Sequence, residues 1–316
     1  LYHSKSLFAK VGNKEHFPVE FEGGIQMSAQ FGGDQYIAGQ KEPVIDMPTR
    51  FVDFMRVLVP MAGDDTTPEG EQVNIYGNHV GSWNFAATAY LNQWKVKIYY
   101  EHYFDDHSQM FFQYGRWKDG HIGLEITFPK NRFIDTFVYE GLGTKDQTGP
   151  MLYDSFWGEF EEQISAKDNY YNHYLYQGWQ HWGMGIGNPL LPGPIYNKNG
   201  QITFISNRVL AHHIGFCGSP CQSLSYRMLL SYSRHWGTYD NPLNEIKKQF
   251  NSLFEVTYAP QQLKGWSFTV SGAMDRGSML GNIMVECWLS ANKELSNQAI
   301  NKSFNCQPNQ HMKQIF

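Results

Sequence analysis

Short segments whose apolar residues recur at every second position dominate this chain. In VKIYYEHYF, Val96, Ile98 and Tyr100 fall on one face, whereas Lys97 and Glu101 fall on the other. The segments IGLEITF and LSYRMLLSY repeat this alternation. A period of two is typical of a β-strand with one apolar and one polar face, and it does not fit an amphipathic helix. The sequence therefore predicts an all-β fold.

The connections between the predicted strands alternate in length. Short turns are followed by long connections over 32–82, 105–120, 142–207 and 234–250. Short turns at one rim and long loops at the other are typical of outer-membrane barrels, and strands of this length suit a tilted membrane crossing. We therefore predict an antiparallel transmembrane β-barrel with long external loops, located in the bacterial outer membrane. The predicted strands lie near 5–12, 18–31, 83–91, 95–104, 121–128, 133–141, 208–217, 222–233, 251–259, 266–273 and 282–290.

The strand count bears on domain organisation. Bacterial barrels normally contain an even number of strands, so eleven predicted strands indicate either one further strand within this sequence or barrel strands that precede Leu1, and we favour the second alternative. The barrel is predicted over 1–291, and a polar C-terminal tail over 292–316.

One helix is predicted inside the first long connection. PTRFVDFMRVLVP (48–60) places Phe51, Phe54, Met55 and Leu58 at helical spacing and ends at a proline. This helix is expected either to pack on neighbouring structure or to fold into the lumen as part of a plug.

Charge and motif content exclude several classes of function. The chain carries a net charge of −5 and has no stripe of Lys and Arg, which excludes a nucleic-acid partner. No serine or cysteine nucleophile lies in a recognisable catalytic motif, and loop carboxylates alone do not define a glycosidase pair. The sequence therefore predicts a non-enzymatic protein without a cofactor. Cys217 and Cys221 flank GSP in a predicted hairpin turn, where a disulfide and two free thiols both fit the spacing.

The connection 142–207 contains the aromatic stretch NHYLYQGWQHWGMGIGNP. A connection this long is normally functional or disordered, and its aromatic content argues against disorder. On one interpretation its rings stack on sugar faces while neighbouring polar side chains bind hydroxyls. On the other, the loop folds into the barrel and its rings plug the lumen without a ligand; the two are compatible, and a plugged lumen is predicted. The glycan-binding candidates are Tyr176, Trp179, His181, Trp182, Asp168 and Asn172.

Arginines in the last third of the chain are further candidates. Arg208 and Arg234 would supply positive charge for an acidic polysaccharide. The alternative is that arginines pair across the polar interior with Glu125, Glu255 or Glu286.

Metal binding has only weak candidates, and no metal is predicted. His102, Asp105 and Asp106 lie where a strand passes into a loop, and a solvated rim explains them as well as a cation site does. His212 and His213 are adjacent on a predicted strand, so they point to opposite faces and cannot chelate one ion together.

Several segments carry a resemblance that spans most of the chain, from Ser4 to Leu295. They are MSAQFGGD, GNHVGSWNF, YYEHYFDDHSQMFF, YEGLGTKDQTGP, DNYYNHYLYQGWQHWGMGIGNPLL, IYNKNGQITFISNRVLAHHIGF, SRHWGTYD and LKGWSFTVSGAMDRGSMLGN. Together they resemble the Wzi-type capsule-assembly outer-membrane proteins. The resemblance implies a large outer-membrane β-barrel with a non-enzymatic role in attaching or organising capsular polysaccharide. The polar tail after Leu295 departs from that family.

Two other functions are compatible with the same barrel. One is a porin-like channel for small solutes, and the other is an accessory subunit of a larger outer-membrane assembly. The expected partners are surface or capsular polysaccharide, outer-membrane lipid and, for the accessory role, other outer-membrane proteins.

Overall fold

The computed structural model describes residues 1–13, 15–105, 107–113, 117–131, 133–281 and 283–293. Most of the described chain forms antiparallel β-structure, and each of the eleven predicted strands is present. No described helix is long and apolar enough to span a membrane. The predicted tail falls almost wholly on 294–316, which lies outside the described residues.

Eleven strands form one sheet, and three short helices lie in the connections. We number them in chain order. We leave unlabelled three pairs of strands of two or three residues, namely 33–35 with 45–47, 152–153 with 164–165, and 180–181 with 184–185. We also leave unlabelled two 3₁₀ turns, 155–157 and 194–196. The strands are β1 Tyr2–Val11, β2 Val19–Gln30, β3 Asn78–Leu91, β4 Trp94–Phe104, β5 Gly120–Thr127, β6 Thr136–Gly143, β7 Val209–Cys221, β8 Leu224–Gly237, β9 Pro242–Tyr258, β10 Trp266–Gly277 and β11 Ile283–Lys293, and the helices are α1 Phe51–Leu58, α2 Glu69–Val73 and α3 His107–Met110.

Every strand of the sheet pairs with its neighbour in sequence. The spatial order is β1 to β11 without a crossover, and all ten pairings are antiparallel. Tight hairpins explain part of this order: between β3 and β4, Asn92 has a φ of 55°, which suits the two-residue turns that join twisted strands. Within the described chain, β1 and β11 are the two edges, and no pairing closes the sheet between them.

The connections divide the sheet into two ends. The turn end carries 12–18, 92–93, 128–135, 222–223 and 259–265. The predicted long connection 234–250 is wrong, because β8 and β9 continue the alternation to Gly237 and from Pro242, which leaves only 238–241 between them. The loop end carries 31–77, 105–119, 144–208, 238–241 and 278–282.

One face of the sheet is polar, and we call it the polar face. Its side chains are brought together by the register rather than by sequence proximity. A single row of cross-strand partners on this face runs through Gly123, Glu140, His213, Ser231, Asn251 and Asp275, one from each of β5 to β10.

The opposite face, which we call the apolar face, is exposed over much of its area. Ile98, Ile214 and Val285 lie on it and are exposed despite their aliphatic side chains. An exposed apolar surface of this extent normally marks contact with an apolar partner or phase. One row of cross-strand partners on this face runs through Ile98, Leu124, Tyr139, Ile214, Leu230, Ser252, Met274 and Val285.

The predicted helix in 48–60 is confirmed as α1, which packs on the same side of the sheet as Lys5 and Ala29. The Lys5 ammonium donates hydrogen bonds to the carbonyl oxygens of Val57, at 2.6 Å, and Leu58. Val57 is buried in a cluster with Ala29. Lys5 and Ala29 belong to the apolar face. Lys5 pairs with Met27, which lies two residues before Ala29 on the same face of β2. Met27 is joined through Gly81 to Phe104, which lies on the same face of β4 as Ile98. The prediction that this helix packs on neighbouring structure is therefore confirmed.

Cys221 resolves one of the two alternatives for the cysteines. It lies at the end of β7, is exposed and carries a free thiol. A Cys217–Cys221 disulfide is therefore wrong. The alternative of two free thiols is also wrong, because Cys217 is disulfide-bonded to another residue.

Candidate functional site

The connection between β6 and β7, residues 144–208, folds back onto the polar face at the loop end. Its aromatic side chains pack against strand residues, so much of the aromatic content of this connection forms a hydrophobic core. This core joins Tyr170, Tyr171, Trp179, Leu191 and Phe204 of the connection to Val80, Tyr103, Leu142, Val209 and Ala211 of the polar face.

A buried carboxylate fixes the beginning of this connection. Asp119, directly before β5, accepts hydrogen bonds from the backbone N–H groups of Asp146 at 2.9 Å and Gln147 at 2.5 Å. The Tyr170 hydroxyl donates to the same carboxyl group at 3.2 Å. Burial raises the pKa of Asp119 to about 6, against the lowering effect of these donors. The carboxyl group thereby links the connections before β5 and after β6.

Asn207 fixes the end of the connection. Its carbonyl oxygen accepts hydrogen bonds from the Thr144 hydroxyl at 2.6 Å and the Gln147 amide at 3.1 Å. Its side-chain amide donates to the carbonyl oxygen of Tyr170 at 2.8 Å. The two ends of the connection are thus joined to each other, which holds the segment between them over the sheet.

A cavity of about 330 Å³ lies between the polar face and the segment 188–192. Strands β4 to β9 supply its floor, and Pro189, Leu190 and Pro192 supply part of its cover. The polar residues that line it are Glu101, His121, Glu140, Asn188, His213, Ser231, Ser233, His235, Gln249 and Asn251.

Three buried polar atoms of this cavity have no hydrogen-bond partner among the described residues: Asn188 Nδ2, His235 Nδ1 and Gln249 Nε2. Asn188 Oδ1 accepts from the backbone N–H of Leu190 at 2.9 Å, so only its amide nitrogen is unused. His235 Nε2 lies 2.9 Å from the Ser233 hydroxyl, so only the other ring nitrogen, Nδ1, has no hydrogen-bond partner. Buried polar atoms in proteins normally have a partner. Three such atoms around one cavity can bind ordered water or a ligand that presents several hydrogen-bonding groups.

A charged cluster lies beside these atoms. The Tyr99 hydroxyl donates to Glu140, and His121 Nε2 lies 3.5 Å from Glu140 Oε1. His121 Nδ1 is 4.0 Å from Glu101 Oε2. Glu101, His121 and Glu140 also line a second cavity of about 180 Å³ further along the polar face. The polar face therefore offers adjoining spaces with both donors and acceptors.

Trp182 is the most exposed of the predicted aromatic candidates. It lies at the tip of a small hairpin in which His181 pairs with Met184, and 87% of its surface is accessible. Trp182 and Gly183 both have left-handed backbone conformations, with φ of 52° and 80°. The Gly183 carbonyl accepts a hydrogen bond from the N–H of Ile195 at 2.7 Å. The chain thus holds a bulky aromatic residue at a position that favours glycine or asparagine, a type of strain that clusters at functional sites.

Trp179 does not share this exposure. Only 3% of its surface is accessible, and its ring packs edge-on against Tyr2 at a centroid distance of 6.1 Å. The prediction that Trp179 and Trp182 form one exposed aromatic platform is therefore wrong, because the hairpin turns them in different directions.

The other predicted residues of this connection are dispersed. His181 is exposed beside Trp182, whereas Tyr176 packs against the cluster that contains Ala29. Asp168 is buried. Asn172 bridges the connection, since its amide donates to the carbonyl oxygen of Phe204 at 2.9 Å and accepts from the N–H of the same residue at 2.8 Å. The amide of Asn172 therefore has a structural partner already.

Arg208 and Arg234 lie at the loop end on the apolar side of the sheet. Arg234 pairs with Leu210 in the register, and Arg208 exchanges backbone hydrogen bonds with Trp236 and Gly237. Neither forms an ion pair in the described part of the chain, so the interior pairing predicted for arginines fails for both. It holds for Arg227, whose guanidinium lies 3.3 Å from Glu255.

The described ones among the weak metal candidates, His102 and Asp105, are not assembled into a site. His102 is buried, and its Nε2 lies 3.1 Å from the Gln109 carbonyl oxygen. Asp105 follows β4, and Asp106 lies outside the described residues. No group of three His, Cys, Asp or Glu side chains within the described ranges is arranged to hold a metal ion. His212 and His213 point to opposite faces as predicted: His212 contacts Tyr139 and His213 contacts Ser231.

Sequence reasoning missed Asn188, His235 and Gln249. His235 and Gln249 fell in the connection predicted over 234–250, although both belong to strands. Ser231, Ser233 and His235 continue the polar face at every second position without a break. This alternation was the signal in the sequence that would have extended the predicted strand to His235. No local signal distinguishes Asn188, because only the folding of the connection places it over the strands.

No family model matches the chain, and no curated protein matches it. A solved structure described as "Unveiling the Mechanism Behind the in-meso Crystallization of Membrane Proteins" aligns with 93% of this chain and 83% of its own, at 9% identity and a TM-score of 0.26. A likeness this weak carries no argument about fold or function.

Proposed function

We propose that this protein is an outer-membrane β-barrel whose wall includes the eleven strands, and that it binds surface or capsular polysaccharide without catalysing a reaction. The membrane placement is supported by the exposed apolar face, which would contact lipid, and the polar face, which would line the interior. Aromatic residues such as Trp94, Trp266 and Tyr258 lie near the turn-end border of the apolar face, and Tyr232 and Trp236 near the other. Such borders are typical of barrels in a bilayer.

The observation that carries polysaccharide binding is the cavity on the polar face with its three unpartnered polar atoms. Sugars present many hydroxyl groups, so a bound glycan segment would supply partners for the side chains of Asn188, His235 and Gln249. Burying these atoms without any partner would cost free energy. The exposed Trp182 offers a second contact, because an aromatic face packs against the apolar C–H face of a sugar ring. The resemblance to Wzi-type proteins points to the same class of ligand.

The connection 144–208 has a defined part in this proposal. It plugs the loop end of the barrel and covers the cavity through Pro189 to Pro192. A glycan chain would enter beside this cover and leave one segment in the cavity. The barrel then acts as an anchor for a surface polymer rather than as a passage.

The test is a titration of the detergent-solubilised protein with oligosaccharides prepared from the capsule of the producing bacterium. The variants Asn188→Asp and Gln249→Leu each remove one unpartnered amide, and each is expected to weaken binding about fivefold, the effect of about 1 kcal/mol per hydrogen bond. The matched control is Gln222→Leu, an exposed amide at the turn end. Equal affinity in all four proteins would reject the cavity as the binding site, and absence of binding in the wild type would reject the function.

A further inference from the structure

Three basic residues lie together on the apolar face at its loop end: Arg234 on β8, Lys248 on β9 and Arg276 on β10. Arg234 and Lys248 are direct cross-strand partners. Arg276 pairs with Phe250, which places it diagonally from Lys248. Direct partners on neighbouring strands lie about 5 Å apart and diagonal ones about 7–8 Å, so like charges in this arrangement repel each other.

Within the described residues, no acidic side chain of the eleven-stranded sheet offsets this charge on the apolar face. All acids on these eleven strands lie on the polar face. The two loop acids near the cluster are engaged, since Asp146 pairs with Lys118 at 3.1 Å and Asp240 pairs with Lys167. The strand acids are Glu20, Glu22, Glu101, Glu125, Glu140, Glu245, Glu255, Asp275 and Glu286.

Two further cations extend the cluster along the border. Arg208 lies over the Tyr239 ring at 3.8 Å, and Lys145 lies over the Trp236 ring at 4.7 Å. Arg234 also lies over the Trp236 ring, 5.4 Å from its centroid. The ring contacts hold these cations at the border and leave them without an ion-pair partner in the described chain. We call Lys145, Arg208, Arg234, Lys248 and Arg276 the border cluster.

Exposed apolar side chains continue directly from the border cluster toward the turn end. On the same three strands these are Tyr232, Phe254 and Met274. A ligand that carries phosphate at one end and hydrocarbon chains at the other matches both surfaces. Guanidinium groups bind phosphate oxygens in pairs, and each Lys or Arg near an anionic membrane surface contributes about 1 kcal/mol.

We propose that the border cluster binds the phosphate groups of an anionic glycolipid of the outer leaflet, whose acyl chains lie along the apolar face of β8 to β10. This site is separate from the polar-face cavity, and it rests on the proposed membrane placement. A bound phosphate would relieve the repulsion among the three strand cations. The polysaccharide site and the lipid site are on opposite faces of the same strands, so a barrel anchored by its lipid would hold the glycan next to the membrane surface.

The proposal is tested with the purified full chain in neutral detergent, by native mass spectrometry of bound lipid. The probes are diphosphorylated lipid A, the same lipid with its phosphates removed, and inorganic pyrophosphate. Binding of the diphosphorylated lipid should fall about fivefold for each charge removed and about a hundredfold in the triple variant Arg234→Gln, Lys248→Gln, Arg276→Gln. The control Lys293→Gln removes a cation of the same face at the turn end and should leave binding unchanged.

Each remaining outcome decides the matter. Equal binding of the dephosphorylated lipid, or of the triple variant, would overturn the proposal, and full competition by an equal concentration of pyrophosphate would show a simple anion site instead of a lipid site. Retained binding of capsular oligosaccharide by the triple variant would show that it is folded. Lipid binding and glycan binding are thus measured separately. Loss of lipid binding with intact glycan binding tests only the lipid site, and loss of glycan binding with intact lipid binding tests only the polysaccharide function.

Discussion

Trp182 gives the most direct prediction at a single position. Replacing it with alanine should weaken oligosaccharide binding about tenfold, the loss typical of an aromatic anchor, without lowering the melting temperature. Trp182→Asn should lose binding equally and melt at the same or a higher temperature, because asparagine tolerates the left-handed backbone at this turn. The melting temperature and the dissociation constant are measured on the same samples.

The control for this pair is Trp157→Ala, an exposed tryptophan of the same connection outside the hairpin. If Trp182→Ala and Trp157→Ala bind the oligosaccharide as tightly as the wild type does, the sugar contact at the hairpin tip is refuted.

Glu71 predicts a pH dependence of stability. Burial raises its pKa from 4.5 to about 7, although the Gly77 N–H donates to it at 2.6 Å and the Tyr174 hydroxyl at 3.2 Å. The neighbouring His173 offers no positive charge, because burial lowers its pKa to about 3. The folded state therefore binds the proton more tightly than the unfolded state does.

Its stabilising effect is complete below pH 4.5 and is lost as the pH rises through about 7. The shift corresponds to about 3 kcal/mol at most. We expect the melting temperature of the wild type to fall between pH 4.5 and pH 8 more than that of Glu71→Gln, which cannot ionise. Asp119 contributes with the same sign in both proteins, so the difference between them isolates Glu71. Parallel curves for the two proteins would contradict the prediction.

Among the elements, the connection 144–208 depends on backbone geometry that only glycine allows at one point. Gly178 has a φ of 77°, and a Cβ added there would lie 2.1 Å from the Tyr171 carbonyl oxygen. Gly178→Ala should therefore detach this part of the connection from the polar face, increase its cleavage by protease and weaken glycan binding.

Gly158→Ala is the matched control, because Gly158 has the same φ of 77° with nothing within 4 Å of the added Cβ. It should cost only the backbone strain, about 1 kcal/mol. Equal protease resistance of the two variants would show that the close approach at Gly178 does not hold the connection in place.

The strands were the most predictable elements, since all eleven are present near their predicted positions. Their ends were less predictable at β8 and β9. Residues 234–250 contain Lys, Asn, Asp and Gly, which read as a loop, yet the paired hairpin extends through them. Cross-strand pairing outweighed local composition there, and it placed His235 and Gln249 on the polar face.

At the scale of the whole molecule, the covered polar face of the proposed membrane barrel predicts negligible conductance. Because the connection 144–208 packs on the loop end of that face, the protein inserted in planar bilayers should show no stable open channel. Gly178→Ala should raise the frequency of channel openings, since it loosens the cover. A large, stable wild-type channel would contradict the plug and favour the solute-channel alternative.

The sequence alone determined the β-strands, their order and the separation of polar from apolar residues, because each depends on short-range alternation and on turn length. The aromatic connection after β6 was recognisable in the same way as a segment too apolar for a solvated loop. The tertiary structure decided which of its rings are buried and which is exposed: Trp179 and Trp182 are three residues apart, and a hairpin with left-handed backbone separates them. It also decided that Arg208 and Arg234 belong to the apolar side and that Asn188 meets His235 and Gln249 around one cavity. Such contacts join residues far apart in the chain, and they are fixed by strand register and loop packing, neither of which can be read from local sequence.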